Sequence, residues 1–232
     1  MFLYQEESGY LFNSDSHFLY SFISKFNPKG ELLDVGSGCG ILGLLTKRDF
    51  PVSLTQIDIQ EHNIFLSSKN AQINNLASNT IKDNFLTHNF DTGFDFIISN
   101  PPYYHDGVSK SKNEILHLSR YNMHLPIDAF VKKVSKILKN RAHFIFCYDT
   151  SLICELMINL KEVKMQVEDL QFVYGTGEKN SSLVLIHARK NSKSKTKVHP
   201  PLINMKNDEP TKEVKSIYQK TRTYSIKCKV LQ

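Results

Sequence analysis

Glu31-Leu32-Leu33-Asp34-Val35-Gly36-Ser37-Gly38-Cys39-Gly40 runs an apolar strand straight into a glycine-rich turn. Ile41-Leu42-Gly43-Leu44-Leu45-Thr46-Lys47 then reads as a helix. Glycines allow a tight turn and close approach of backbone to a ligand, and the helix start offers free N–H groups. Such a turn alone is weak evidence, since many structural turns between strand and helix carry two glycines. Its surroundings give it weight. Val52–Ile59 is a second strand, Glu61–Leu76 a second helix, and Asn79–Lys82 a short strand ending at Asp83. Phe94–Ser99 is a fourth strand, stopped by Asn100-Pro101-Pro102-Tyr103. Pro126–Leu138 places Phe130, Val131, Val134, Ile137 and Leu138 at the recurrence of one buried helix face. His143–Tyr148 is another strand and Leu152–Leu160 another helix. Gln166–Tyr174 and Ser182–Ala188 pair antiparallel around Gly175-Thr176-Gly177. Strands alternating with helices imply right-handed crossovers. The expected fold is α/β and doubly wound, a mostly parallel sheet with a C-terminal antiparallel hairpin.

The 232 residues are 41% hydrophobic and 22% charged, which excludes a largely disordered or collagen-like chain. Apolar runs such as Phe144–Tyr148 fall far short of the roughly 18 residues a membrane helix needs, so no membrane association is expected. Met1-Phe2-Leu3-Tyr4-Gln5-Glu6-Glu7 lacks the basic head and apolar run of a secretory signal. The cysteines (Cys39, Cys147, Cys154, Cys228) show no zinc-ligand spacing, and the histidines are dispersed. A reduced, cytoplasmic, metal-free monomer is the expectation.

Charge divides the chain. Residues 1–188 carry 17 Lys+Arg against 20 Asp+Glu, whereas residues 189–232 carry 12 against 3, a net of +9. Such a segment suits a polyanion, most often nucleic acid, or is a solvated tail. The division expected is an N-terminal segment 1–30, a sheet domain 31–189 and a basic extension 190–232. Lys190–Lys195 reads as mobile, and Pro200-Pro201-Leu202-Ile203 as docking back on the core. The stretch after Tyr218 reads as mobile.

In a doubly wound sheet, ligands sit at the carboxyl ends of the strands. Asp34 and the turn Gly36-Ser37-Gly38-Cys39-Gly40 lie there, with a glycine spacing that suits a nucleoside better than a pyrophosphate. Asp58 suits ribose hydroxyls, or caps the helix beginning near Gln60. Asp83 holds the matching place one strand on, as a ligand or as a turn residue. Asn100-Pro101-Pro102-Tyr103 is the sharpest feature. Its prolines remove two donors and leave carbonyls free, Asn100 adds an amide oxygen, and Tyr103 adds an aromatic face. That set fits a planar substrate bearing an NH₂ group.

These residues resemble the amino-group class I S-adenosylmethionine-dependent methyltransferases, whose Asn-Pro-Pro-Tyr subgroup methylates adenine N6 or a release-factor glutamine. Over roughly residues 10–218 the chain is similar to the bacterial tRNA(Val) adenine-N6 methyltransferases, which modify the adenine beside the anticodon. Phe12-Asn13-Ser14-Asp15-Ser16, Tyr103-Tyr104-His105-Asp106-Gly107-Val108 and Pro200-Pro201-Leu202-Ile203 followed by Thr211-Lys212-Glu213-Val214 carry that likeness. The resemblance implies a Rossmann-like fold, S-adenosyl-L-methionine as cofactor and tRNA as partner. It implies cofactor contacts from Asp15, Asp34, Gly36, Ser37, Gly38, Gly40, Asp58, Ile59, Asp83, Asn84 and Asn100. Asn100, Pro101, Pro102 and Tyr103 become the catalytic set. Tyr104, His105, Lys110, Lys112, Arg120, Lys193, Lys195 and Lys197 become RNA contacts, the loop cations among them reading equally as a solvated surface. The chain departs from the family at Asn140-Arg141-Ala142, where a glycine pair is frequent. Glutamine methylation is the enzyme alternative, disfavoured by the missing helical N-terminal domain. A non-catalytic RNA-binding module on the same fold is the other.

Overall fold

The computed structural model describes residues 1–6, 12–101 and 125–228. Its elements run Phe2–Glu6 (β1), Ser14–Ile23 (α1), Gly30–Val35 (β2), Ile41–Asp49 (α2), Val52–Asp58 (β3), Glu61–Ile73 (α3), Asn79–Lys82 (β4) and Phe94–Ser99 (β5). Then come Ile127–Ile137 (α4), Leu138–Asp149 (β6), Ile153–Glu162 (α5), Met165–Thr176 (β7), Leu183–Lys190 (β8) and Lys197–Val198 (β9). Leu202–Lys206 (β10), Glu209–Pro210 (β11), Lys212–Thr221 (α6) and Tyr224–Cys228 (β12) complete the described chain. Among the described residues, no helix is long and apolar enough to cross a membrane.

One ten-stranded sheet has the order β11-β10-β7-β8-β6-β5-β2-β3-β4, with β9 beside β7. β4, β3, β2, β5 and β6 are parallel neighbours, and β8 runs antiparallel between β6 and β7. The doubly wound, mostly parallel sheet with its antiparallel hairpin is therefore the observed fold.

Because successive strand residues face opposite sides, the sheet divides its apolar residues between two cores. Leu32, Phe96, Ile98 and Ile145 pack with α1 and α2 on one face. Leu33, Ile97, Phe144 and Phe146 pack with α4 and α5 on the other. α1 is buried nearly all round, from Ser16 to Ile23, and Asn13 starts it by accepting the Asp15 N–H at 3.0 Å.

Three expectations need correction. The β7–β8 hairpin is not the sheet's edge, because β10 adds parallel to β7 with Leu202 opposite Val173. Lys190–Lys195 is tied down rather than trailing: Lys190 ends β8, and Ser192 Oγ donates to Glu168. The stretch after Tyr218 forms β12, which pairs parallel with β1, Phe2 opposite Tyr224. Charge concealed these strands, since β10 has only Leu202 fully inside, with Ile203, Asn204 and Met205 half-buried and Lys206 exposed. Leu202 itself is 2% exposed, so the Pro200–Ile203 stretch docks on the core as expected.

The other edge of β1 is satisfied by side chains instead of a strand. Asn70 and Asn74, one turn apart on α3, each exchange hydrogen bonds with β1 backbone, at Tyr4 (2.7 and 3.0 Å) and Phe2 (3.0 and 2.7 Å). Asn70 Nδ2 also donates to the Cys39 carbonyl at 2.8 Å, fastening the glycine turn to this terminal pair.

A buried histidine, His17, and a half-buried one, His143, make the fold sensitive to acid. His17 bonds Thr221 Oγ1 at 3.1 Å, joining α1 to α6, and His143 stacks on Phe96 at 4.4 Å. Burial pushes both down to about 4, aided for His143 by the neighbouring His187. The unfolded chain takes up these protons near pH 6.5, so it binds more protons than the native state between pH 6.5 and 4. Stability fully present above pH 6.5 is therefore lost as pH falls towards 4. Asp34, whose buried carboxyl is raised to about 7, opposes this over the same range. Melting curves from pH 7.5 to 4.5 should show a falling midpoint because two histidines outweigh one carboxylate, and a rising one would refute the assignment.

Candidate active site

Parallel pairing aligns the strand ends that matter. Val35 lies opposite Ile57 and Ser99, and Asp58 opposite Lys82. Gly36, Asp58, Ile59, Asp83, Asn84 and Asn100 thus fall on one edge of the sheet. Ser99 Oγ donates to the Val35 carbonyl at 2.8 Å, locking β5 to β2 just before Asn100.

The glycines divide into two kinds. Gly36 (φ +66°) and Gly38 (φ +55°) sit in the left-handed region, and an added Cβ at either would meet nothing within 4 Å. Gly40 (φ +87°) would place a Cβ 2.6 Å from Gln56 Oε1 and 3.0 Å from Ser67 Cβ. At Gly43 it would lie 2.8 Å from Leu54 Cδ1. The first pair keeps space open at the sheet edge; Gly40 and Gly43 let α2 pack closely on the sheet. Ser37 Oγ is buried there without a hydrogen-bond partner among the described residues.

Asp58 is buried and reaches both neighbours of its strand end. Its Oδ2 accepts the Gly38 N–H at 3.0 Å and its Oδ1 the Gln60 N–H at 2.9 Å. The bond to Gln60 forms a turn leading into α3 rather than capping it, since Gln60 is the N-cap and has no side-chain cap, and the same carboxylate shapes the glycine turn. Asp34, 1% exposed, accepts the Gly43 N–H at 2.9 Å. Burial pushes its carboxyl up to about 7, against the pull of that bond and with a contribution from Asp58. Asp83 is exposed and bonds His88 Nδ1 at 2.7 Å, which with the Asn84 N–H holds its carboxyl below the usual range. Cys39 is pushed up to about 12 by burial, so it is no nucleophile.

Asn100 is gripped from two sides. Its Oδ1 accepts from Cys147 Sγ at 2.9 Å, and its Nδ2 donates to Ser16 Oγ at 3.3 Å. A thiol can only donate to the amide oxygen, so the pair fixes which way the amide points. Pro101 beside it is buried. Asp15 lies in the first turn of α1, one residue from Ser16. Cys147 and Ser16 were not singled out from sequence. Ser16 belonged to the quoted Phe12–Ser16 motif, whereas nothing in the sequence pairs Cys147 with Asn100.

Pro102, Tyr103, Tyr104, His105, Lys110, Lys112 and Arg120 lie outside the described residues. Lys193, Lys195 and Lys197 are exposed along the far side of the sheet. Lys197 pairs at Asp169 on β7, four strand spacings or about 19 Å from β5. The structure does not gather them with Asn100. Glu168, Asp169 and His187 bring three possible metal-ligating atoms within 4.8 Å of one another. Asp169 spends its carboxylate on His187 (2.8 Å) and His199 (2.7 Å).

Residues 11–122 match the family described as methyltransferase small domain. The chain is similar to the ribosomal RNA small subunit methyltransferase C of Haemophilus ducreyi, 36% identical over 38% of this chain and 27% of that one. It is similar to the tRNA1(Val) (adenine(37)-N6)-methyltransferase of Vibrio campbellii, 28% identical over 58% of this chain and 56% of that one. The match therefore spans about a quarter to a half of these relatives' length. A predicted O-methyltransferase of Agrobacterium tumefaciens shares the fold at TM-score 0.68 and 14% identity, over 91% of this chain and 99% of that one. So does the T. thermophilus 16S rRNA N2 methyltransferase solved with AdoMet and guanosine, at TM-score 0.57 and 19% identity, over 79% and 45%.

The T. thermophilus enzyme of the same fold was solved with AdoMet. The residues present fit it: two glycines with open space, a buried hydroxyl without a partner, and a buried carboxylate at the next strand end.

Proposed function

The chain carries a methyltransferase small domain on a class I S-adenosylmethionine-dependent methyltransferase fold, and from that premise we propose that it methylates the exocyclic N6 of an adenine in tRNA. The observation that carries this reading is Asn100-Pro101 at the sheet edge beside the open glycine turn, its amide held by Ser16 and Cys147. Bound at that turn, the cofactor supplies a methyl group already activated on a sulfonium. Asn100 Oδ1 and the Pro101 carbonyl accept the hydrogens of the substrate NH₂ and favour a pyramidal nitrogen, an interaction strongest in the transition state. Gly36, Gly38, Ser37 and Asp58 would hold the cofactor at the strand end beside Asn100, and positioning of two reactants in general is worth about 7–11 kcal/mol of barrier. The target base is extruded from its stack at a cost of a few kcal/mol, which stacking on Tyr103 offsets in part.

The Vibrio relative supports a tRNA target, the adenine beside the anticodon of tRNA(Val). The ribosomal relatives support a second reading, guanine N2 in ribosomal RNA. Purified protein incubated with labelled cofactor and unmodified bulk tRNA or rRNA separates them. N6-methyladenosine in digested tRNA is the expected product. N2-methylguanosine from rRNA would establish the second reading instead, and label on release factor alone would establish glutamine methylation.

A further inference from the structure

The edge of the sheet opposite Asn100 carries an unclaimed cationic surface. A shallow groove of about 520 Å³ is lined there by Lys132, Ser135, Lys136, Glu162, Lys164 and Lys190, among others. It lies between the ends of α4 and α5 and the end of β8, with four lysines against one glutamate. Three turns meet around it and are laced together. The Asn191 N–H donates to the Lys164 carbonyl at 2.9 Å, and Asn191 Nδ2 donates to Asn140 Oδ1 at 3.0 Å. Arg189 donates twice to the Arg141 carbonyl, at 2.9 and 2.5 Å.

A bland account would say that lysines gather because two helices end there and their carbonyls attract cations. Lys190 already fills that role, donating to the Ser135 carbonyl at 2.6 Å and the Leu138 carbonyl at 3.3 Å. Lys136 and Lys164 make no ion pair and no side-chain hydrogen bond among the described residues, and both are exposed. The backbone supplies an independent sign. Arg141 (φ +58°) and Lys164 (φ +59°) occupy the left-handed region, where glycine or asparagine rests easily and a long side chain does not. Five of the eight non-glycine residues found there among the described residues are Asn or Asp; the other three are Lys164 in the groove lining, Arg141 on the neighbouring strand, and Arg222, which ends α6 elsewhere. Two of the three thus place a cation at or next to this groove at some cost in backbone ease.

We infer that this groove is a phosphate-backbone site for the substrate RNA, engaging a part of the fold remote from the methylated base. The inference rests on the RNA reading above and adds a second contact region to it. Arg189 stands at the level of Phe96, and Asn100 is four residues further up that strand, roughly 13 Å, with the groove beyond the helix ends on the far side. A lone nucleotide in the pocket does not reach it; a folded RNA does. Phosphate contacts carry no sequence information directly, so the groove orients the substrate while the pocket selects the base. Exposed Lys193 and Lys195 extend the same cationic edge.

The test uses the full chain with Lys136→Ser, Arg141→Gly and Lys164→Gly combined. The glycine substitutions relieve the left-handed backbone, so thermal stability should be retained or raised. Fluorescent bulk tRNA is titrated at two salt concentrations, and methyl transfer by the unaltered protein is measured in parallel. We expect affinity to fall about tenfold or more at low salt, and the log–log salt slope to flatten by roughly 2, since each lost contact contributes about 0.7–0.9. Unchanged affinity and slope in the triple variant would overturn the groove, even if the unaltered protein methylates tRNA. If that protein methylates no RNA, the functional reading fails, yet the titration still decides the groove. Loss of binding to phosphatidylserine vesicles with tRNA binding intact would overturn it in favour of a membrane surface.

Discussion

Asn100→Ala should lower methyl transfer by about two to three orders of magnitude while cofactor affinity stays within a few-fold of normal. Removing one positioned hydrogen-bonding group from a developing charge typically has an effect of that size. The expectation follows from where the side chain sits. It closes β5, Cys147 and Ser16 dictate its orientation, and the glycine turn lies one strand away. A group whose contribution is realised in the transition state lowers kcat and kcat/KM together. Single-turnover kinetics with calorimetry of the cofactor would check both halves. Near-normal turnover would require a different acceptor for the NH₂ hydrogens.

The second large effect separates two kinds of glycine. Gly38→Ala should fold, with a cost of about 1–2 kcal/mol for the left-handed backbone, and should lose cofactor affinity at least tenfold. Its new methyl enters space that no protein atom occupies within 4 Å. Gly40→Ala should instead damage the fold. Its Cβ would sit 2.6 Å from Gln56 Oε1 and 3.0 Å from Ser67 Cβ, in a left-handed conformation as well. Overpacking of that kind costs about 1–3 kcal/mol beyond the backbone strain. Melting temperature and calorimetric affinity, measured on both variants, should move in opposite order. Normal cofactor affinity in a folded Gly38→Ala would remove the turn from the binding site.

The contrast explains what was legible in the sequence. In a parallel sheet the strand ends are readable from sequence, so Gly36, Asp58, Asp83 and Asn100 announce themselves by position at or just after a strand end, and the structure lines them up. Residues that meet them from other elements carry no such mark. Cys147 touches Asn100 because β6 happens to lie beside β5, and Ser16 does so from a helix whose uniform burial leaves no amphipathic stripe to read. Composition misled in the tail. A net charge of +9 suited a polyanion site or a solvated extension and gave no sign of strands there, yet Leu202, Val214 and Ile217 are enough to seat its strand and helix on the core. Truncation after Arg189 would therefore expose β7 and one face of α1 rather than simply subtract charge. Point substitutions are the cleaner test of the cationic surface.

The pairing of Phe2–Glu6 with Tyr224–Cys228 bears on how the molecule assembles. The Met1 ammonium donates to the Arg222 carbonyl at 2.7 Å across a separation of 221 residues. A contact of that range closes a loop of nearly the whole described chain, and loop-closure entropy makes such contacts slow to form. During synthesis the first strand waits, propped on Asn70 and Asn74, until a partner made some two hundred residues later emerges. Asn70, on α3, holds both the first strand and the Cys39 carbonyl, so the glycine turn is fastened before that partner is made. The terminal pair then completes a brace already in place, and its loss in a fraying molecule reaches the glycine turn only through Asn70.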